Sequence, residues 1–251
     1  MDIKDLKSRE YGNLSKYVSM IKYRLNSVFE EEVEDAKIFA TAFLAYLVKK
    51  ENLSTKRELI NYIERKLPES QQLFLINRTS DTYWTKVLEI AEELSLDALL
   101  ATVVLYPYSG FHNTKEIGTP ESIVKLAYGI LNPKNEYVAD LYSGVGSFLS
   151  YTAMQDDEST LYGVETKAYP KVISEIILSF FENEAEIIQG SALEIPKNKK
   201  FDKIFCEYPR NLNSKYLSDD EKQAVLDDGL IPELVKTSRT EWYFECSESF
   251  K

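Results

Sequence analysis

The sequence predicts an α/β protein in which an all-helical N-terminal domain precedes a domain built on a mainly parallel sheet. Three observations support this fold class. Apolar residues recur with a helical period from Asn13 to about Leu105. Beyond that point, short β-rich runs alternate with helical runs, as they do in βαβ units. The turn-forming segment 106–110 separates the two patterns, so we predict domains at residues 1–108 and 109–251.

The helices of the first domain follow from apolar faces and from end signals. The first helix has a set of apolar residues on one face: Leu14, Val18, Ile21 and Leu25. The acidic run 30–35 opens the second helix, because carboxylates favour the positive end of the helix dipole. Thr55 and Glu58 have the spacing of a capping box, which predicts a helix that Pro68 ends. Further helices are predicted at 81–94 and at 95–106.

The second domain begins with a predicted helix from Thr119 to Leu131. Thr119 is the expected N-cap, and Pro120 the first helical residue, where proline is favoured. Four β-rich runs then predict parallel strands: Tyr137–Leu141, Thr160–Glu165, Ala185–Gln189 and Phe201–Cys206. Ligands of such sheets bind beyond the carboxyl ends of the strands.

A glycine-containing motif follows the first of these strands. Asp140 ends the strand, and Gly144 and Gly146 come before the next helical run. The glycines let the backbone turn tightly and approach a ligand. Glu165 ends the second strand, where an acid can bind the ribose hydroxyls of a nucleoside. Leu149 stands where a dinucleotide fingerprint has its third glycine, and no Gly-Lys-Ser/Thr is present, which disfavours NAD and ATP.

The motif from Asp140 to Gly146 resembles the S-adenosylmethionine motif of class I methyltransferases. Together with the segment Gly118–Leu126, it resembles the modification subunits of type I restriction-modification systems, which are N6-adenine DNA methyltransferases with a helical N-terminal domain. The resemblance implies a partial Rossmann-like methyltransferase domain here, with S-adenosylmethionine as cofactor.

The resemblance also implies a set of cofactor-binding residues: Thr119, Pro120, Asp140, Gly144, Gly146, Glu165, Ser191 and Ala192. The family usually has an acid for the adenine amino group in the turn after the third strand. Ser191 places a hydroxyl there, which predicts weaker cofactor binding.

The methyl-transfer motif departs further from the family. The family carries Asn/Asp-Pro-Pro-aromatic after the fourth strand, and the matching residues here are Glu207, Tyr208 and Pro209. The family's Asn accepts a hydrogen bond from the target amine, and its aromatic ring stacks on a flipped base. The motif is therefore degenerate. Three functions stay open. The chain is an N6-adenine DNA methyltransferase-like subunit, a non-catalytic module that binds cofactor or assembles with an intact methyltransferase or specificity subunit, or a methyltransferase for RNA or protein that uses the same cofactor loop.

The C-terminal part predicts an incomplete sheet. Only four strands are expected, fewer than the family has, and the segment 241–251 resembles the start of the helix before a fifth strand. We therefore expect a C-terminal truncation and an open edge at the fourth strand.

Charge and composition limit the partners. The net charge of −11 argues against broad, sequence-blind binding of nucleic acid, so DNA is expected to be reached through partner subunits or a local basic cluster. Such a cluster exists around the fourth strand, although a solvated loop explains it as well: Lys197, Lys199, Lys200, Lys203, Arg210 and Lys215. The longest apolar stretch is too short to cross a bilayer, and one histidine with two cysteines makes no zinc site. We expect a cytoplasmic protein.

Overall fold

The computed structural model describes residues 3–27, 35–76, 80–109, 118–196, 198–207 and 243–245. The chain divides into two compact units, Met1–Asn113 and Thr114–Lys251. Our boundary between residues 108 and 109 stays a prediction.

The first unit is helical over its described residues, as predicted. Its helices in chain order are α1 Ile3–Glu10, α2 Leu14–Asn26, α3 Asp35–Glu51, α4 Lys56–Lys66, α5 Glu69–Ile76, α6 Asp81–Glu93 and α7 Leu96–Val104. Helices α1 and α5 were not predicted from the sequence. Pro68 does end one helix, but its carbonyl also accepts the first amide bonds of α5, from Gln71 and Gln72 at 3.0 Å each. None of the described helices has the length and apolar character needed to cross a membrane.

Local side-chain bonds explain where these helices begin and how they pack. The predicted capping box is present: the Glu58 amide donates to Thr55 Oγ1 at 3.2 Å, and the Thr55 amide donates to Glu58 Oε2 at 3.0 Å. In the core, the hydroxyls of Thr41 in α3 and Tyr83 in α6 lie 2.6 Å apart and share a hydrogen bond. This bond satisfies two buried polar groups while it joins two helices.

The second unit contains a five-stranded parallel sheet with the strand order β3-β2-β1-β4-β5. The strands are β1 Tyr137–Asp140, β2 Thr160–Glu165, β3 Ala185–Gln189, β4 Lys203–Cys206 and β5 Tyr243–Glu245. The helices are α8 Glu121–Leu131, α9 Ser147–Gln155 and α10 Ala168–Leu178. The class of fold therefore agrees with the prediction, and β2 and β3 have the predicted bounds.

Two apolar clusters position the strands. One joins side chains of α8 and α9 to the sheet, and the Phe148 ring of α9 stacks on Phe205 of β4 with centroids 4.4 Å apart. The other contains Leu141, Tyr162 and Phe201. Burial on both sides explains why β1, β2 and β4 are short apolar runs rather than alternating ones.

Three predictions about element ends are wrong. Segment 241–251 was expected to begin a helix beside an open β4 edge, but Tyr243–Glu245 forms β5, which pairs with β4. Thr119 was expected to cap α8, but Pro120 is the N-cap, because its extended ψ of 139° keeps it outside the helix. Strands β1 and β4 are also shorter than predicted.

Candidate functional site

The glycine motif forms a tightly fixed loop between β1 and α9. The Leu141 amide donates to the Phe205 carbonyl at 3.1 Å, and the Ser143 amide donates to the Val164 carbonyl at 2.9 Å. The Ser143 hydroxyl donates to the same carbonyl at 3.2 Å. The loop is thus bonded to the strands on both sides of β1. Ser143 was not among the predicted site residues, although a small polar residue just before Gly144 favours such bonds.

The two glycines of the loop both have left-handed backbone conformations, with φ of 53° at Gly144 and 81° at Gly146. Residues with a Cβ rarely adopt such angles. Gly146 is also the N-cap of α9, and a Cβ there would collide with the hydroxyl of Ser174 in α10. Glycine is therefore required at Gly146 by both conformation and space, and this lets α10 pack close to the loop.

Glu165 ends β2 beside this loop, as predicted. Its Oε1 accepts hydrogen bonds from the Lys167 amide at 2.7 Å and from the Thr166 hydroxyl at 3.3 Å, and the nearby Gly144 amide favours its charged form. Burial raises the pKa of Glu165, and these hydrogen bonds partly oppose the rise. The carboxylate therefore lies beside the glycine loop, and its role in binding a ribose stays a prediction.

Asp140 is the most buried acid of the site, with 1% of its surface exposed. Its Oδ1 accepts a hydrogen bond from the Tyr142 amide at 3.2 Å. Burial raises the pKa of Asp140 well above its ordinary range; the Tyr142 bond opposes this, while the charges of Glu207 and Glu165 add to it. The fold therefore gathers three carboxyl groups from different strand ends at one edge of the sheet.

The turn after β3 belongs to the same edge. The Gly190 amide donates to the Glu165 carbonyl at 3.1 Å. Ser191 caps a short 3-10 turn, Ala192–Glu194: its hydroxyl accepts the Leu193 amide at 3.1 Å, and Glu194 Oε2 accepts the Ser191 amide at 2.8 Å. Ala192 is buried. The structure therefore gives Ser191 a capping bond, and its cofactor role stays a prediction.

The predicted methyl-transfer residues are described only in part. Glu207 directly follows β4, close enough to Asp140 for their charges to interact. Tyr208 and Pro209 lie outside the described residues. Thr119 and Pro120 precede α8, and their cofactor role also stays a prediction.

Two lysines of the basic cluster already pair with other side chains of the protein. Lys199 Nζ lies 2.7 Å from Glu186 Oε2 and 3.8 Å from the centroid of the Tyr162 ring. Lys203 Nζ is 3.7 Å from Glu136 Oε1. These pairs favour the interpretation of a solvated loop over a phosphate site for both lysines. Lys200 is exposed, and the cluster's other members lie outside the described residues.

The donor and acceptor set of this edge fits S-adenosylmethionine. The cofactor carries sulfonium and ammonium charges, which the ionised forms of Asp140, Glu165 and Glu207 would offset. Its ribose hydroxyls can donate to Glu165, and left-handed glycines let a ligand approach the backbone. Among residues the structure describes, no three His, Cys, Asp or Glu side chains are grouped to hold a metal ion.

Comparisons with known proteins agree with this fold. No curated protein sequence matches the chain. The fold resembles a type I restriction-modification methyltransferase subunit from Streptococcus thermophilus, with 11% identity and a TM-score of 0.59 over 91% of this chain and 72% of that one. It also resembles a candidate class I S-adenosylmethionine-dependent methyltransferase from Listeria monocytogenes, with 13% identity and a TM-score of 0.54 over 84% of this chain and 72% of that one.

Membership of a family follows from the sequence. The family model for N-6 DNA methylases matches residues 100–244, which is more than half of the chain. The chain therefore belongs to the N-6 DNA methylase family, whose cofactor is S-adenosylmethionine.

Proposed function

We propose that this chain is the S-adenosylmethionine-binding modification subunit of a restriction-modification system and acts on adenine N6 in DNA. The observation that carries the proposal is the glycine loop bonded to both neighbouring strands, with Glu165 held against it. The family match and the fold of the Streptococcus thermophilus subunit support the same function.

In this proposal, each part of the site meets a different part of the cofactor. Glu165 accepts hydrogen bonds from the ribose hydroxyls. Gly144 and Gly146 let the methionine portion approach the backbone, and Thr119 and Pro120 border it. The bound cofactor supplies a methyl group on a positively charged sulfur, and the carboxyl groups of Asp140 and Glu207 face that charge.

Glu207 has the central part in methyl transfer. Its carboxylate accepts a hydrogen bond from the adenine amine, which turns the nitrogen lone pair towards the methyl group. Methylation leaves that nitrogen with a proton to lose, and a carboxylate can accept it. Tyr208 and Pro209 shape the place of the flipped base. DNA is reached through partner subunits, such as a specificity subunit, because the chain carries a charge of −11.

One observation favours a second function, a non-catalytic module that binds the cofactor or assembles with an intact methyltransferase. Glu207 places a longer, charged side chain where the family has Asn or Asp, and it interacts with the buried Asp140. The charge of Glu207 adds to the rise in the pKa of Asp140, so this position carries a negative charge that the family's Asn does not.

Calorimetry followed by a methyl-transfer assay tests both functions. We expect S-adenosylmethionine to bind with a measurable heat, and no binding would exclude both. Transfer of labelled methyl groups to adenine-containing duplex DNA, with and without a specificity subunit, then separates them. Glu207→Ala should abolish methyl transfer, whereas Glu207→Asn should retain or raise methyl transfer. Absence of transfer by both the natural chain and Glu207→Asn would favour the non-catalytic module.

A further inference from the structure

We propose that Ser174 of α10 is a positioning residue of the cofactor site, whose buried hydroxyl holds Gly146 in the conformation that the cofactor needs. This inference rests on the proposed function, because it concerns the loop that meets the cofactor. It adds a residue that lies outside the glycine motif and away from the strand ends, in the middle of a helix.

The hydroxyl of Ser174 is unusual for a buried side chain. Ser174 is fully buried, yet its hydroxyl makes no hydrogen bond with any residue that the structure describes. A buried hydroxyl in a helix ordinarily donates to a carbonyl of the preceding turn, as Thr152 of α9 donates to the Phe148 carbonyl at 3.0 Å. Because an unpaired buried hydroxyl lowers the stability of a protein, its presence in α10 needs another explanation.

The hydroxyl lies against the alpha carbon of Gly146, the N-cap of α9. A Cβ built on Gly146 would overlap the Ser174 Oγ and would lie 3.1 Å from the Ser174 Cβ. The hydrogen that Gly146 carries in that direction therefore points at the hydroxyl oxygen. A Cα–H···O contact of this kind is weak, but the oxygen limits how far Gly146 can move towards α10.

Gly146 needs this restraint because its hydrogen bonds fix only its peptide groups. Its amide donates to the Ser143 carbonyl at 2.7 Å, and its carbonyl accepts the Ser150 amide at 2.8 Å. Its φ of 81° is one of several conformations that are similarly accessible to a glycine. By restricting these alternatives, Ser174 sets the loop before the cofactor binds, which raises affinity because less ordering remains to be done on binding. A side chain that lowers stability is thus retained for the site.

Ser174→Ala tests this role through two quantities that should not fall together. Removal of the unpaired hydroxyl should keep or raise the midpoint of thermal unfolding. Affinity for S-adenosylmethionine, measured by titration calorimetry, should fall by about tenfold, because the loop must then be ordered on binding. Ser179→Ala, at the end of the same helix, is the matched control: the Ser179 hydroxyl donates to the Ile176 carbonyl at 2.7 Å, so this variant should lose stability and keep its affinity.

Hydrogen exchange of single amides locates the effect in the protein without cofactor. The Gly146 and Ser150 amides should exchange about tenfold faster in Ser174→Ala, since the hydrogen bonds of both depend on the position of Gly146. The Asp156 amide donates to the Thr152 carbonyl at 2.8 Å at the other end of α9. It is the internal control and should keep its rate.

A double substitution tests whether Ser174 acts through its contact with Gly146. Ser174→Gly removes the two atoms that a Cβ at Gly146 would meet most closely and leaves the alpha carbon of residue 174 at 3.5 Å, an ordinary contact. In that background, Gly146→Ala should lower cofactor affinity by a smaller factor than it does in the natural chain.

The possible results are distinguishable. If the natural chain binds no S-adenosylmethionine, the proposed function fails and this inference fails with it. If the natural chain binds the cofactor, three results overturn the inference alone: unchanged affinity in Ser174→Ala, an unchanged exchange rate of its Gly146 amide, or weaker binding with a lower unfolding midpoint, which would assign Ser174 to packing. Equal losses from Gly146→Ala in both backgrounds would also overturn it. Weaker binding and faster local exchange without a lower midpoint support it.

Discussion

Asp140 lies at the carboxyl ends of the strands of the parallel sheet, and Asp156 lies at their amino ends. We call these two sides of the sheet the carboxyl edge and the amino edge, and the surroundings of the two acids differ. Asp156, before β2, accepts the Asn135 amide at 2.9 Å, the Glu158 amide at 3.2 Å and the Ser159 hydroxyl. Burial alone would raise the pKa of Asp156, but these hydrogen bonds outweigh it and lower the pKa. Within the described residues, the Asp140 carboxylate accepts one hydrogen bond, from Tyr142, and its pKa is raised.

This difference indicates two roles for acids in the same sheet. The bonds of Asp156 are made within the protein and fix the chain where it enters the strands, an arrangement reinforced by Asn183, whose side chain donates to the Asp156 carbonyl at 2.9 Å. Asp140 instead keeps acceptor capacity at the edge where parallel sheets bind ligands. We infer that the amino edge serves stability, and that the carboxyl edge gives up stability for binding.

The largest expected effect comes from replacing a glycine at the carboxyl edge. Gly146→Ala forces a Cβ into a left-handed conformation and against Ser174, which we expect to cost about 3 kcal/mol of unfolding free energy. S-adenosylmethionine affinity should fall by about 100-fold or more, because the loop must move. Gly129→Ala in α8 is the matched control: a Cβ there meets nothing within 4 Å, and helical alanine is favoured over glycine. Unchanged affinity in Gly146→Ala would refute the loop assignment, and titration calorimetry with urea unfolding measures both quantities.

The next test removes the acid of the amino edge. Asp156→Ala leaves the Asn135 and Glu158 amides and the Ser159 hydroxyl without their acceptor, so we expect a loss of about 2 kcal/mol in unfolding free energy. Cofactor affinity of the folded protein should stay within about twofold. The neighbouring Asp157 is exposed, and Asp157→Ala should change neither quantity. Weaker cofactor binding in Asp156→Ala would mean that the two edges are coupled.

The sequence predicted those features of the fold that depend on neighbouring residues. Strands β2 and β3 are continuous β-rich runs between polar turns, and the Thr55 capping box needs only the residues up to Glu58. Helix α1 was missed because Leu6 is its one buried residue, which gives no apolar period. Strand β5 was missed because its pairing with β4 joins segments far apart in sequence.

The residues of the candidate site also divide into those that local sequence predicts and those that depend on contacts between distant segments. Asp140, the two glycines and Glu165 were predicted because one motif and the end of the next strand contain them. Their coupling to Glu207 was not, because it depends on the pairing of β1 with β4.

The smallest expected effect is on the pH dependence of stability, and it has opposite signs at the two acids. Because folding raises the pKa of Asp140, its contribution is fully present below the unfolded pKa of about 3.9 and is lost as pH rises through the folded value. Because folding lowers the pKa of Asp156, its contribution is present above the unfolded pKa and is lost as pH falls through the folded value. Asp140→Asn should therefore flatten the decline of unfolding free energy at higher pH, and Asp156→Asn should flatten its decline in acid. Urea unfolding across the pH range measures both.

The side-chain amide introduced by Asp140→Asn would keep an oxygen for the Tyr142 amide and add a donor facing Glu165 and Glu207, so this variant should also be more stable at neutral pH. An unchanged slope in Asp140→Asn would show that Asp140 titrates normally, and the contrast between the two edges would then be wrong.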